Sequence, residues 1–340
     1  MVRLIIAFFD NAGRPAEKPE QHSARAVVTA QHRLGYTIFF NGAEMPARVS
    51  GRFMGRVAAR SDYPAVGDSV LISLHEGSAQ AVIEEVLPRK TMLARRKPDS
   101  DDEAQTIAAN VDIVFAVMGL DGNFSPHRLE RLVAIARGCG AEPAVILTKR
   151  DIAGDALAQR VSQAQNAAGA GVRVIALSGI TGEGVPDAAA LLPGKTACFI
   201  GSSGTGKSTL INRLLGCEKA RVGLARVKDS RGRHTTTARQ LYFLPGGGAV
   251  IDTPGIREVG LTEGQKAGVE ELYSDIEALT PDCRFTNCTH AGEPDCAVKA
   301  AVAAGAITPE RYRGYLKLKT ETKPVPHYLK RANQKKPPRC

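Results

Sequence analysis

A glycine-rich segment near the middle of the chain constrains the fold more than any other feature. Residues 201–208 read G-S-S-G-T-G-K-S and follow the apolar run 196–200. The pattern G-x-x-x-x-G-K-[ST] is typical of a P-loop, which joins a strand to a helix and turns its backbone N–H groups toward a phosphate. The apolar run and the helical pattern of residues 207–215 supply that context, so we predict an α/β unit here.

The residues of this loop have separate predicted roles. Lys207 is expected to reach the β- and γ-phosphates, and the Ser208 hydroxyl to bind Mg²⁺. The dipole of the helix that begins here favours the same negative charge. We predict nucleotide contacts from Gly201, Ser202, Ser203, Gly204, Thr205, Gly206, Lys207, Ser208 and Thr209.

Two downstream segments fit the same site. Residues 252–255 read D-T-P-G after an apolar run. Asp252 is predicted to hold Mg²⁺ through water, and Gly255 to offer its N–H to the γ-phosphate. Residues 232–237 read G-R-H-T-T-T, a polar loop of the kind that senses the γ-phosphate and Mg²⁺. Thr236 is the predicted magnesium ligand, with Thr235 as the close alternative.

The position that usually carries the catalytic glutamine holds a different residue here, so the catalytic group must be sought elsewhere. Many GTP-hydrolysing proteins orient the attacking water with Gln directly after D-x-x-G, but Ile256 stands there. His234 is the nearest replacement, because its imidazole could hold the water or assist proton transfer. The alternative is an ordinary structural or solvated histidine.

A segment that could recognise the nucleotide base lies upstream of the P-loop, whereas GTP-hydrolysing proteins ordinarily have it downstream. Residues 148–151 read T-K-R-D, a variant of N-K-x-D, about fifty residues before the P-loop. Asp151 can accept from guanine N1–H and the exocyclic amine, a donor pair that adenine lacks. Lys149 can lie along the base, and Thr148 keeps a hydroxyl where Asn is usual. Ser178 and Gly179, after the next strand, could offer backbone N–H groups to guanine O6.

This inverted order indicates a circular permutation, which a fold survives when its original termini lie close together. Alternating strand and helix patterns on both sides of the P-loop predict a mostly parallel sheet with helices on both faces. Upstream, short β-prone runs between residues 26 and 93 predict a small all-β barrel. Residues 95–103 have no apolar period and are interpreted as a linker.

A compact cluster near the C-terminus predicts a metal centre. Cys283, Cys288, His290 and Cys296 supply three thiolates and one imidazole within fourteen residues. Cys₃His is a standard set for a structural, tetrahedral Zn²⁺ site with no open position. The alternative is a chance grouping of reduced cysteines.

Charge favours a polyanionic partner. The net charge is +10, and the segment from Thr322 to Cys340 carries six Lys or Arg and no acid. Basic residues bind RNA through its phosphates, although each patch could also be an ordinary solvated face. The absence of a long apolar stretch predicts a cytoplasmic protein without a membrane span. The upstream basic residues are Arg48, Arg52, Arg56, Arg60, Arg89, Lys90, Arg95, Arg96 and Lys97.

Taken together, these motifs resemble the RsgA/YjeQ family of circularly permuted GTPases that depend on the small ribosomal subunit. The shared segments are T-K-R-D, S-G-I-T-G-E-G, the P-loop, G-R-H-T-T-T, D-T-P-G, the Cys/His segment and R-Y-x-x-Y at residues 311–315. Two residues depart from the family pattern, Thr148 for Asn and Gly179 for Ala, and both lie at the guanine end. By position, His234 matches the family's proposed catalytic histidine.

The resemblance implies an architecture and a function. A flexible N-terminus (1–20) would precede an OB-fold barrel (21–97), a circularly permuted P-loop GTPase domain (98–260), and a helical zinc-binding domain with a basic tail (261–340). The protein would bind GTP and GDP with Mg²⁺, dock on rRNA of the small ribosomal subunit late in its maturation, and leave on hydrolysis. Apart from the resemblance, the several separate contacts expected with the subunit favour a monomer. The alternative is a GTP-gated RNA-binding module in which hydrolysis is incidental.

Overall fold

The computed structural model describes residues 24–75, 77–96, 104–218, 239–253 and 265–322. Several predictions fall outside these residues and stay predictions. They concern the N-terminal segment 1–20, the loop 232–237 with His234, Thr235 and Thr236, Gly255, Lys97 and the basic tail from residue 323.

Five strands near the N-terminus close into a barrel. They are hydrogen-bonded in the order β1-β2-β3-β5-β4, and β4 pairs again with β1 to complete the ring. Only the β3–β5 pairing is parallel. This is a small Greek-key barrel of the OB type, so the predicted barrel is confirmed. The elements are β1 (Ala24–His32), β2 (Gly35–Phe40), β3 (Ala43–Val49), α1 (Gly51–Arg56), β4 (Ser69–Ser73) and β5 (Ala81–Val86).

A two-stranded hairpin follows the barrel. β6 (Met92–Arg96) pairs antiparallel with β7 (Ala104–Ala109). The prediction of a linker over residues 95–103 was wrong at its start, because β6 continues through Arg95 and Arg96. Two consecutive charged residues show no apolar pattern, so the sequence did not predict a strand here. The strand forms because β6 pairs with β7.

The central sheet has the permuted order that the motifs predicted. Its strands lie in the order β10-β9-β8-β11-β13-β12, and all are parallel except β12. The P-loop strand β11 lies inside the sheet, and the three strands on one side of it all precede it in sequence. The strands are β8 (Ile113–Gly119), β9 (Glu142–Thr148), β10 (Arg173–Ala176), β11 (Thr196–Ile200), β12 (Arg239–Phe243) and β13 (Ala249–Asp252).

Helices cover both faces of this sheet, as predicted. Residues of a strand alternate between faces, so successive side chains of the fully buried β8 enter different cores. Val114, Ala116 and Met118 pack with α2 (Pro126–Gly138) and α3 (Leu157–Ala168), whereas Ile113, Phe115 and Val117 pack with α4 (Val185–Ala189) and α5 (Lys207–Leu215). Ser125 caps α2, and Pro126 is its first residue.

The C-terminal helices pack on α2. A Cβ at Gly268 would lie 2.2 Å from the Ala134 carbonyl oxygen and 2.4 Å from the Gly138 nitrogen. The two helices therefore cross in backbone contact, which only glycine permits. The elements are α6 (Lys266–Leu272), α7 (Ser274–Glu277), α8 (Ala297–Ala303) and α9 (Pro309–Glu321).

The barrel and the central sheet are joined by strand pairing. β1 pairs antiparallel with β12, with Ala30 opposite Gln240 and Gln31 opposite Arg239, so that one sheet runs through eleven strands. Next to this joint, a Cβ at Gly67 would lie 2.2 Å from the Ala109 carbonyl oxygen. The barrel thus packs directly on the hairpin and the sheet.

Helices of the described part of the chain are short. The longest, α2 and α9, have 13 residues each, and crossing a bilayer takes about 20. None of the described helices is long and apolar enough to span a membrane.

Candidate nucleotide site and metal centre

The P-loop leads from β11 into α5 through three constrained glycines. A Cβ at Gly201 would lie 2.3 Å from the Val117 carbonyl oxygen of the neighbouring strand. Gly204 and Gly206 have φ of +79° and +85°, a region that favours glycine. Gly206 caps the helix that begins at Lys207. This backbone points the first N–H groups of α5 at the place where a phosphate would lie.

Two opposite charges face each other at this loop. Lys207 Nζ donates to the carbonyl oxygens of Gly201 and Ser202, at 2.7 Å each. Burial lowers the pKa of Lys207 to about 8, although the Asp252 carboxylate acts in the opposite direction. Burial raises the pKa of Asp252, and Lys207 opposes that shift. A bound phosphate would favour the charged form of Lys207.

The base-reading segment touches the P-loop through Thr148. This residue ends β9 and is 2% exposed. Its hydroxyl donates to the Thr205 carbonyl oxygen and also lies 3.3 Å from the carbonyl oxygen of Met118. Sequence reasoning treated Thr148 only as a base-contacting residue in the place of Asn and missed its bond to the phosphate loop.

Lys149 is held by a partner that the sequence did not single out. Its Nζ donates to Asp121 Oδ2 at 2.6 Å. Burial would raise the pKa of Asp121, but the hydrogen bond and charge of Lys149 together with backbone N–H groups lower it overall. Lys149 has a φ of +63°. Asp151, two residues later, is exposed. The carboxylate is thus accessible to a base, as its predicted role requires.

Ser178 and Gly179 lie beside the P-loop helix. Ser178 is fully buried, and its hydroxyl accepts from the N–H groups of Ile180 and Thr181, at 3.2 and 3.1 Å. A Cβ at Gly179 would lie 3.1 Å from Thr209 Cγ2 in the first turn of α5. The structure therefore brings together the described members of the predicted site, from residues 148–151, 178–179, 201–209 and Asp252.

The four metal-ligating side chains also converge. The ligand atoms of Cys283, Cys288, His290 and Cys296 lie within 4.8 Å of one another. The two sulfurs of Cys283 and Cys296 are 3.9 Å apart, and they lie 3.6 and 3.5 Å from His290 Nδ1. A tetrahedral Zn²⁺ with Zn–S of about 2.3 Å and Zn–N of about 2.0 Å would place such pairs about 3.8 and 3.5 Å apart. The residues fit zinc.

The R-Y-x-x-Y segment fastens this centre to the helices. The Arg311 guanidinium makes two bonds to Asp275, at 2.7 and 2.6 Å. Tyr312 donates to the carbonyl oxygen of His290, and the buried Tyr315 donates to Glu277 at 2.8 Å. Since these bonds join α9 to α7 and to the Cys/His loop, the segment is a structural clasp.

One predicted RNA-contacting residue is internal. Arg89 makes a bidentate ion pair with Asp68, at 2.8 Å for both bonds, and also donates to the carbonyl oxygens of Ser61 and Tyr63. Asp68 is fully buried. The prediction for Arg89 was therefore wrong, because sequence cannot separate a surface charge from one with a distant buried partner. The barrel arginines Arg48, Arg52, Arg56 and Arg60 are exposed.

Comparison with solved structures gives the class of the fold. The structure superposes on YjeQ from Thermotoga maritima with a TM-score of 0.65 and 27% identity, covering 88% of this chain and 98% of that one. It also superposes on YloQ, described as a circularly permuted GTPase, with a TM-score of 0.62 and 23% identity, covering 90% and 97%. The fold is that of a circularly permuted GTPase.

Sequence comparison gives the family. A family model described as RsgA GTPase matches residues 86–262. Proteins named "Small ribosomal subunit biogenesis GTPase RsgA" are similar over most of the chain. That of Opitutus terrae is 40% identical over 92% of this chain and 87% of its own, and that of Xanthomonas campestris is 43% identical over 90% and 82%. The chain belongs to the RsgA GTPase family and is a GTP-hydrolysing enzyme.

Proposed function

We propose that this protein is a late maturation factor of the small ribosomal subunit that binds rRNA and is released when it hydrolyses GTP. The observation that carries the proposal is the hydrogen bond from the Thr148 hydroxyl to the Thr205 carbonyl, across 57 residues of sequence. It holds the proposed base-reading segment beside the phosphate loop, so that one nucleotide could contact both. The printed names of the relatives supply the ribosomal context.

Each residue has a proposed role at the nucleotide. Asp151 reads the guanine edge, with Lys149 along the base and N–H groups of Ser178 and Gly179 near O6. Residues 201–209 hold the phosphates. Gly255 offers its N–H to the γ-phosphate, and His234 orients the attacking water.

Two metal ions belong to the proposal. Mg²⁺ would be held by Ser208, by Thr236 or Thr235, and through water by Asp252, and it would neutralise charge on the β- and γ-phosphates. Zn²⁺ would be held by the Cys₃His cluster and would stabilise the C-terminal fold.

The barrel arginines supply the proposed RNA contact. Arg48, Arg52, Arg56 and Arg60 are exposed on one domain of a basic protein. Exposed cations of this kind bind phosphates and release counterions. We propose that the protein docks as a monomer in the cytoplasm, where such subunits mature.

The test compares GTP hydrolysis with and without purified small subunits. Subunits should stimulate the wild type strongly, whereas His234→Ala should lose this stimulation while still binding GDP. His75→Ala, which changes an exposed barrel histidine, is the matched control and should behave as the wild type.

Three results would contradict the proposal. If small subunits do not increase the rate of GTP hydrolysis by the wild type, the ribosomal role is wrong. Normal hydrolysis by His234→Ala would remove the catalytic assignment. If that variant cannot hydrolyse GTP yet binds and leaves subunits normally, the protein is instead a GTP-gated RNA-binding module.

A further inference from the structure

The space around Gly179, and not its backbone conformation, disfavours a larger residue at this position. It is absent from the described glycines with positive φ. A Cβ built there would lie 3.1 Å from Thr209 Cγ2 and 3.5 Å from Thr209 Cβ. Ordinary carbon–carbon contacts lie at about 3.5–4.0 Å. The Thr209 methyl therefore occupies the space that an alanine at position 179 would need.

The loop that carries Gly179 cannot easily move away. The Ser178 hydroxyl accepts from the backbone of Ile180 and Thr181, and the Ser178 nitrogen donates to the Glu183 carbonyl at 2.9 Å. From α5, Arg213 donates to the Thr181 carbonyl oxygen at 3.1 Å. This second contact ties the loop to the helix that carries Thr209.

The Thr209 methyl cannot easily move either. In a helix, the β-branched side chain of threonine is restricted to two χ1 rotamers. The next residue, Leu210, is fully buried in the core between α5 and the sheet. An added methyl at position 179 would therefore push the loop and the helix apart as bodies.

We propose that Gly179 and Thr209 form a size-matched pair. The pair sets the distance between the loop after β10, which carries Ser178 and Gly179 to the guanine, and the phosphate-binding helix α5. The inference rests on the proposed guanine site. A nucleotide is one ligand with its base on one of these elements and its phosphates on the other. A wider spacing weakens contacts at one end or the other, so the pair controls how long guanine nucleotide stays bound.

The test is a double-mutant cycle on the full chain, read as the dissociation rate of a fluorescent GDP analogue. Gly179→Ala should speed release about fivefold or more in the wild-type background, because overpacking is costly. In the Thr209→Ser background, which lacks the methyl, the same change should alter the rate less than about twofold. Thr209→Val keeps a methyl, so Gly179→Ala should remain harmful there.

Gly246→Ala is the matched control, since a Cβ there meets nothing within 4 Å and its φ is not positive. It should leave the dissociation rate unchanged. Circular dichroism of each variant separates faster release from unfolding, and the Thr209→Ser double variant restores the space if Gly179→Ala alone is unstable.

Three outcomes would overturn the pair. Gly179→Ala could release GDP as slowly as the wild type. It could release quickly in both backgrounds, which would place the effect elsewhere. A wild type that binds GDP and ADP equally would instead remove the guanine site, and the pair with it, and that result is visible before any variant is made.

Discussion

At the scale of single residues, Thr148 links two functions that the sequence keeps far apart. Its one hydroxyl proton serves the Thr205 carbonyl, with the Met118 carbonyl as a second, longer neighbour. A Cβ at Gly206 would lie 3.5 Å from Thr148 Cβ, so the side chain also packs on the loop. A residue that departs from the family pattern thereby stabilises the phosphate loop.

We predict that Thr148→Val weakens GDP binding about tenfold, because an isosteric side chain without a donor leaves a buried carbonyl unpaired. Thr148→Ser keeps the hydroxyl and should retain most of the affinity. Titration calorimetry with GDP measures both. Equal affinity of the valine variant and the wild type would show that the bond contributes nothing to the site.

Lys207 gives the site a pH dependence. Its pKa is lowered from 10.5 to about 8 in the folded protein, and phosphate favours the charged amine. Above pH 8 the nucleotide-free protein has lost this proton and must regain it on binding. GDP affinity should therefore fall as the pH rises from about 8 to 10, by up to about tenfold per unit.

The proton itself can be counted. Calorimetry of GDP binding at pH 9 in two buffers of different ionisation enthalpy should show proton uptake. Lys207→Arg stays charged at this pH, so it should take up fewer protons than the wild type and show a weaker pH dependence, with only the guanine N1–H still titrating. A wild type that takes up no more protons than Lys207→Arg would refute the lowered pKa.

At the scale of elements, the Cys/His loop depends on its ligands and its clasp. Between α7 and α8 the described chain has one short helical turn, over Thr280–Asp282. The hydrophobic residues beside it are few, and Phe285 is exposed. Such a loop would gain its order from the proposed metal and from the bonds of Arg311 and Tyr312.

We predict that chelation of the metal unfolds this loop and lowers the melting temperature of the whole protein, since α6 and α9 pack on α2. Cys288→Ser should lose bound zinc and show the same instability. Cys217→Ser changes an exposed cysteine outside the cluster. It should keep the bound zinc and the wild-type melting temperature. Metal analysis and thermal denaturation provide the two readings. A metal-free protein with an unchanged melting curve would contradict the structural role.

The elements also show what sequence can predict. Local patterns were sufficient for β11 and α5, whose predicted bounds agree with the structure, and for the Ser125 cap of α2. Contacts between distant segments were not predictable in this way. Asp68 and Arg89 are 21 residues apart and Gly179 and Thr209 are 30, and nothing in either segment alone specifies its partner.

At the scale of the whole molecule, the barrel meets the rest of the described chain at two places, the GTPase sheet and the β6–β7 hairpin. One is the β1–β12 pairing, beside which Phe39 and Phe243 pack with ring centroids 4.6 Å apart. The other is the close approach of Gly67 to Ala109, where Val66 also accepts a backbone bond of 2.9 Å. Barrel and sheet should therefore unfold together.

Gly67→Ala tests this joint. Gly77→Ala is a matched control, because Gly77 also has positive φ but a Cβ there meets nothing within 4 Å. We predict that Gly67→Ala lowers the free energy of unfolding by about 2 kcal/mol more than Gly77→Ala, through overpacking against Ala109. Urea denaturation followed by fluorescence and circular dichroism measures the difference. Equal losses would mean that backbone strain alone accounts for both.

The β1–β12 pairing also has a consequence during synthesis of the chain, because β1 is made long before its partner. Arg239 emerges from the translating ribosome 208 residues after Gln31, with which it pairs. At about 5–20 residues per second, the edge of β1 stays unpaired for about 10 to 40 s while the intervening chain is made. A barrel completed early thus carries an open strand edge until β12 has been made, and this interval is when the nascent protein is most exposed to wrong partners.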